Sequence, residues 1–91
     1  MTVERTTIIR NRNGLHVRPS TRFLAIANNF RAQVRVIAPS GRDANGRSAI
    51  ELMSLEVRAG EMIRIVAEGV EKEEAVTALV ALVESRFDGI D

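Results

Sequence analysis

Polar and apolar positions along the chain divide it into seven segments. Residues 2–10, "TVERTTIIR", are β-branched and polar and predict a strand, which "NRNG" then breaks. From Val17 or Pro19 to Phe30, the residues Phe23, Ile26, Ala27 and Phe30 recur at three- and four-residue spacing. That spacing predicts a helix with one apolar face, and Asn28 and Asn29 suit its end. "AQVRVIA" alternates Val34 and Val36 against Gln33 and Arg35, predicting a half-buried strand; "PSG" turns it into a short strand over residues 42–45, so the two form a hairpin. "SAIELMSL" predicts a short helix with Ala49, Ile50, Leu52, Met53 and Leu55 as its apolar positions. Ser48, followed three residues later by Glu51, has the form of a capping box. In "EMIRIVAE", bounded by Gly60 and Gly69, the set Ile63, Ile65 and Ala67 is expected to face the core. "VEKEEAVTALVALVESRF" predicts a last helix whose buried stripe is Ala75, Val76, Leu79, Leu82, Val83 and Phe87, with Glu71, Glu73 and Glu74 near its positive end.

The order β-α-β-β-α-β-α predicts an α+β open-faced sandwich, a four-stranded antiparallel sheet covered on one face by three helices. With 91 residues, a single domain over 1–91 with a modest core is expected. A composition of 45% hydrophobic and 27% charged residues is that of a globular protein rather than a disordered tail. Cysteine is absent, which excludes disulfides, thiolate metal sites and thiol catalysis. Charges interrupt each apolar run near the N-terminus, so neither a signal peptide nor a membrane span is expected, and the cytoplasm is the expected compartment.

A net charge of +1 hides an uneven distribution: residues 1–47 carry nine arginines against Glu4 and Asp43, whereas residues 48–91 carry ten acids against four bases. The only histidine, His16, lies in the basic half. One histidine without cysteine cannot assemble a usual zinc site, so no metal and no cofactor are expected. Neither a glycine-rich phosphate loop nor a Gly-x-Ser-x-Gly elbow is present, and the sequence neighbours of His16 include Arg12, Arg18 and Arg22 rather than an acid. Two readings remain: a plain surface or capping residue, or a nucleophile acting alone. Imidazole titrates near neutral pH, at about 6.5 when unperturbed, so its uncharged form can attack phosphorus. The helix beginning just after His16 offers unpaired N–H groups and the positive end of its dipole, and Arg18 offers a fork of donors, to the phosphoryl group that would result. Proline disfavours the α conformation in the residue before it, which favours Arg18 as cap and Pro19 as first helical residue. A start at Val17 is equally compatible with Pro19, since the missing N–H falls in the first turn. The sequence leaves both open.

The segment "NGLHVRPST" resembles the active-site segment of HPr, the histidine-containing phosphocarrier family of the bacterial phosphoenolpyruvate-dependent sugar phosphotransferase system, and "NGRSAIELMSLEV" resembles the family's serine-containing helix. The resemblance runs along nearly the whole chain and includes the element order. It implies a carrier rather than an enzyme: His16 would be phosphorylated on Nδ1 by enzyme I and pass the group to a sugar-specific IIA protein or domain. Arg18 matches the family's active-site arginine, and Asn13 and Gly14 match the turn presenting the ring. Val17, Thr21, Ala49, Ile50 and Met53 match an apolar docking surface. Ser48 matches the serine modified by HPr kinase/phosphorylase in regulated members. A monomer without membrane insertion is implied.

Three positions depart from the family pattern: Glu56 replaces a frequent glycine after "Ser-Leu", Ser20 replaces a common alanine, and the "IAPSG" turn is one residue longer. They suggest a divergent branch, and a regulatory paralogue acting mainly through Ser48 is the alternative. A small nucleic-acid-binding domain is a further alternative from the arginine count. It is disfavoured by the acidic second half and by a chain with no tyrosine or tryptophan.

Overall fold

The structure, a computed structural model, describes residues 1–90. Strands β1 (Thr2–Ile8), β2 (Gln33–Ile37), β3 (Asp43–Asn45) and β4 (Met62–Glu68) form one sheet in the order β1-β4-β2-β3, and every neighbouring pair is antiparallel. Helices α1 (Val17–Ala27), α2 (Ala49–Ser54) and α3 (Lys72–Glu84) follow the expected order. The open-faced α+β sandwich is therefore realised. Ile63, Ile65 and Ala67 are buried while Met62, Arg64 and Glu68 are exposed, so the alternation in β4 gives the strand its inward face. Val34 and Val36 of β2 lie on the same side and share one core cluster with Phe23 of α1, Leu52 of α2 and Val76, Leu79 and Val83 of α3. Each of these side chains contributes roughly 1.5–3 kcal/mol by leaving water. The opposite sheet face carries exposed ion pairs, Arg35 to Asp43 at 2.8 Å and Arg64 to Glu4 at 3.7 Å. Pairs this exposed contribute little, about 0–1 kcal/mol each.

The element ends differ from expectation where tertiary contacts intervene. β1 stops at Ile8 rather than Arg10, although Ile9 still donates to Glu61 O at 2.9 Å and accepts from Gly60 N at 2.7 Å. α1 ends at Ala27 rather than Phe30. Its last carbonyls are satisfied by a tightened turn, in which Asn29 N donates to Ile26 O at 3.0 Å and Phe30 N to Ala27 O at 3.2 Å. α3 starts at Lys72 because Glu71 is engaged elsewhere: its carboxylate accepts from Arg31 N at 2.8 Å, and its own N–H donates to Arg31 O at 3.0 Å.

The largest correction concerns the C-terminal helix, expected to run unbroken to Phe87. It ends at Glu84, and a separate short turn, α4 (Arg86–Gly89), follows with positive φ at Arg86, Phe87 and Asp88 (56°, 55° and 62°). Three helices thus become three plus a left-handed turn. Left-handed backbone costs non-glycine residues about 1–2 kcal/mol each. Full burial of the Phe87 ring opposes that cost, as do hydrogen bonds from Asp88 N to Ser85 Oγ at 3.0 Å and from Ser85 Oγ to Leu82 O at 2.8 Å. The i to i+4 spacing of Val83 and Phe87 fits a continuous helix equally well, which is why the pattern did not reveal the break.

Candidate functional site

The loop from Ile9 to His16 is shaped by a buried asparagine. Asn11 is fully buried, its side-chain Nδ2 donates to Gly14 O at 2.7 Å, and its backbone carbonyl accepts from Gly14 N at 3.2 Å. Gly14 takes φ +66°, and a Cβ there would overlap Val57 O and sit 2.9 Å from Arg58 Cα. Only glycine fits this left-handed turn against the 57–58 backbone. Leu15 N then donates to Val57 O at 3.1 Å, tying the loop to the segment after α2. Ser20, fully buried, donates its hydroxyl to Leu15 O at 3.2 Å, so this departure from the usual alanine holds the residue just before the histidine.

His16 is the N-cap of α1, with extended backbone (φ −83°, ψ −166°), and its carbonyl accepts from Ser20 N at 3.0 Å. This resolves the open choice in favour of Val17. Arg18 and Pro19 lie inside the first turn, against the local preference for a helix starting at Pro19. Proline at the third helical position removes a donor that the helix could not use. The N–H groups of Val17 and Arg18 remain at the positive end of the dipole, and the first turn carries no acid. The ring is half-buried, its side chain makes no capping hydrogen bond, and its Nε2 is shielded from solvent.

The expected residues fall into neighbouring places. His16, Asn13, Val17 and Met53 line one open groove, together with Leu15, Glu56, Val57 and Arg58. Val17, Arg18 and Thr21 line a second shallow depression with Arg22 and Ile90. Val17 and Ile50 are large apolar side chains left 59% and 77% exposed, whereas Ala49 and Met53 are half-buried. α1 packs against α2, so these positions lie on two neighbouring helices, and of them Val17 and Met53 share the groove with His16. Part of the basic half is already neutralised: Arg22 lies 3.4 Å from Asp88, and Arg35 is bound to Asp43. Arg12 and Arg18 are exposed.

Ser48 caps α2 as expected, its Oγ accepting from Glu51 N at 3.2 Å. The capping box is only half formed. The Glu51 carboxylate accepts from Asn45 N at 2.9 Å, while Ser48 N donates to Asn45 O at 3.0 Å, so Glu51 ties α2 to β3 instead of returning to the cap. Arg47, not singled out from the sequence, donates to Phe30 O and Ala32 O at 2.7 Å each and fixes the approach to α2. Asn11 was also missed; its place in "NRNG" before a turn glycine was the available signal. Glu56 adopts φ +54° directly after the Leu55 C-cap, so glutamate fills a left-handed position without displacing the end of α2.

Among the described residues, no group of three or more His, Cys, Asp or Glu side chains could hold a metal ion, and no helix is long and apolar enough to cross a membrane. Comparison with known families matches residues 3–85 to the PTS HPr component phosphorylation site model. The chain belongs to the HPr family. The HPr of Mycoplasma pneumoniae is 36% identical over 77 residues, covering 85% of this chain and 88% of that one. Phosphocarrier protein NPr of Escherichia coli K12 is 36% identical over 88 residues, covering 97% and 98%. Among solved structures, HPr-C-His from Thermoanaerobacter tengcongensis superposes with a TM-score of 0.91 at 38% identity, covering 98% and 99%. HPr and NPr relatives thus match across most of their length, and the protein has a phosphocarrier role of the phosphotransferase-system type.

Proposed function

We propose that the chain is a single carrier domain in which His16 accepts a phosphoryl group on Nδ1 from phosphorylated enzyme I and donates it to a sugar-specific IIA protein or domain. The observation that carries this reading is the placement of His16 as the N-cap of α1 with Nε2 shielded. Acceptance is a simple exchange, and donation is its reverse, with the acceptor's nucleophile attacking phosphorus and the electron pair of the broken P–N bond returning to Nδ1. The lone pair of Nδ1 attacks phosphorus, the bond between phosphorus and the donor's carrier atom breaks, and the electron pair leaves with the donor. The phosphorylated ring then presents its negative charge to the N–H groups of Val17 and Arg18 and to the Arg18 guanidinium. Since Arg18 is exposed, it can swing toward the phosphoryl group and release it again, as a carrier requires.

Asn13 and Gly14 shape the turn that presents the ring. Val17, Thr21, Ala49, Ile50 and Met53 supply the docking surface, small enough for the weak encounters a shared carrier needs, and the arginines steer them. The protein works as a monomer in the cytoplasm, without a cofactor, nucleic acid or membrane insertion.

A second reading concerns regulation at Ser48 by an ATP-dependent HPr kinase/phosphorylase. Its support is that Ser48 is half-buried at the start of α2, the helix that supplies part of the docking surface. A phosphate there would add negative charge beside Ala49 and Ile50. The primary reading is tested by incubating the protein with phosphoenolpyruvate and enzyme I. The expected result is an acid-labile, base-stable gain of one phosphoryl group, lost in His16→Ala. Persistence of that gain in the variant would overturn the assignment.

A further inference from the structure

Glu56 is disfavoured by three separate features of its surroundings. Its backbone lies in the left-handed region at φ +54°, which glycine adopts freely and glutamate does not. It follows the Leu55 C-cap of α2, at the negative end of the helix dipole, where a further negative charge is unfavourable. Its side chain is exposed, and no ion pair or hydrogen bond to another described residue engages the carboxylate. Only its backbone N–H contributes locally, donating to Met53 O at 3.1 Å, and any residue except proline would supply that. Among the described residues, nothing compensates for a glutamate here.

Its position indicates where compensation comes from. Glu56 lines the groove that holds His16, Val17, Met53 and Arg58, and it is the only carboxylate among the described residues that line it. Any protein that reaches His16 must cover this groove. A fixed negative charge at that point attracts a partner with a cationic side chain opposite it. It repels one that closes the groove with acidic surface, and it must be desolvated by one that closes it with apolar surface. Discrimination of this kind needs an unfavourable element against the wrong partner as much as a favourable one for the right partner.

We propose that Glu56 is a specificity-determining residue of the docking groove, selecting a phosphoryl donor that places a lysine or arginine side chain over the groove beside Met53. This rests on the carrier reading above. The selection acts in the encounter and leaves the chemistry at His16 unchanged, so it is read in KM and in salt dependence.

The test measures phosphoryl transfer from enzyme I, phosphorylated with phosphoenolpyruvate, to the wild-type protein and to Glu56→Gln, Glu56→Lys and Glu56→Gly, at low and at high salt, with thermal unfolding of each variant recorded alongside. Glu56→Lys is expected to raise KM for the phosphorylated donor about tenfold at low salt, and Glu56→Gln and Glu56→Gly about threefold, with the effect in KM rather than kcat. The differences should shrink toward unity in 1 M salt, where the screening length is about 3 Å. Glu56→Gly relieves the backbone and should unfold no earlier than wild type, so its raised KM cannot come from a damaged fold. Wild-type protein that accepts the group, together with a KM for Glu56→Lys within twofold of wild type, overturns the specificity role alone. Wild-type protein that accepts no phosphoryl group overturns the carrier reading and this inference with it.

Discussion

Replacing Gly14 with alanine tests how the loop positions the histidine. The added Cβ would overlap Val57 O and approach Arg58 Cα to 2.9 Å, both of them backbone atoms that cannot rotate away. The left-handed φ of +66° alone penalises alanine by about 1–2 kcal/mol. Relief of the overlap requires the segment at 57–58 to recoil, which strains or breaks the hydrogen bond from Leu15 N to Val57 O and reopens packing around the fully buried Asn11. Overpacking of this kind typically costs 1–3 kcal/mol, so the whole perturbation comes to about 3 kcal/mol. In a domain of this size each kcal/mol moves Tm by roughly 4–8 °C, so a fall of about 15 °C is expected. Urea unfolding followed by far-UV circular dichroism is the appropriate assay, because the chain has no tryptophan or tyrosine to report by fluorescence. The midpoint should fall with an unchanged m-value. Transfer to His16 should slow even at temperatures where the variant is folded, since Leu15 and the N-cap shift with the loop. A stability loss below about 1 kcal/mol with normal transfer would show that the 57–58 segment does not hold the histidine in place.

Two further substitutions separate chemistry from folding. Arg18→Ala should slow phosphoryl transfer at least about tenfold while changing stability by less than about 0.5 kcal/mol, because the side chain is exposed and in no ion pair with another described residue; equal loss of both in transfer and urea assays would make Arg18 structural. Ser48→Ala removes the acceptor for Glu51 N and should cost about 1 kcal/mol in urea unfolding, whereas Ser48→Asp, which also caps, should retain most of the stability and instead weaken transfer from enzyme I. A Ser48→Ala variant as stable as wild type would remove the capping role.

The fold was largely legible because its elements announce themselves locally. The alternation in β4 placed Ile63, Ile65 and Ala67 inward, and the turn-forming residues of "PSG" marked the hairpin between β2 and β3. The position of His16 before a helix, beside Arg18 and in the basic half of the chain, was equally readable, since it needs only the order of residues. Glu51 and Phe87 were misread for a shared reason. Each obeys a local rule, the capping box or the helical stripe, and each has a better partner distant from that rule. Glu51 reaches Asn45 N on β3, and the Phe87 ring enters the core through a left-handed turn.

Sequence by itself determined the strand and helix order, the apolar faces of α1, β2, β4 and α3, and the absence of thiol or multi-histidine chemistry, because these follow from residue type and short-range periodicity. Tertiary structure decided where the helices begin and end around the site. The preference of Arg18 and Pro19 pointed to a helix starting at Pro19, yet α1 starts at Val17 and makes His16 its cap. The deciding interactions are nonlocal: Leu15 bound to Val57 O and Gly14 packed against the 57–58 backbone, with Ser20 reaching back to Leu15 O. The first two of these join segments about forty residues apart, and together with the Ser20 bond they outweigh the modest local penalty at Arg18.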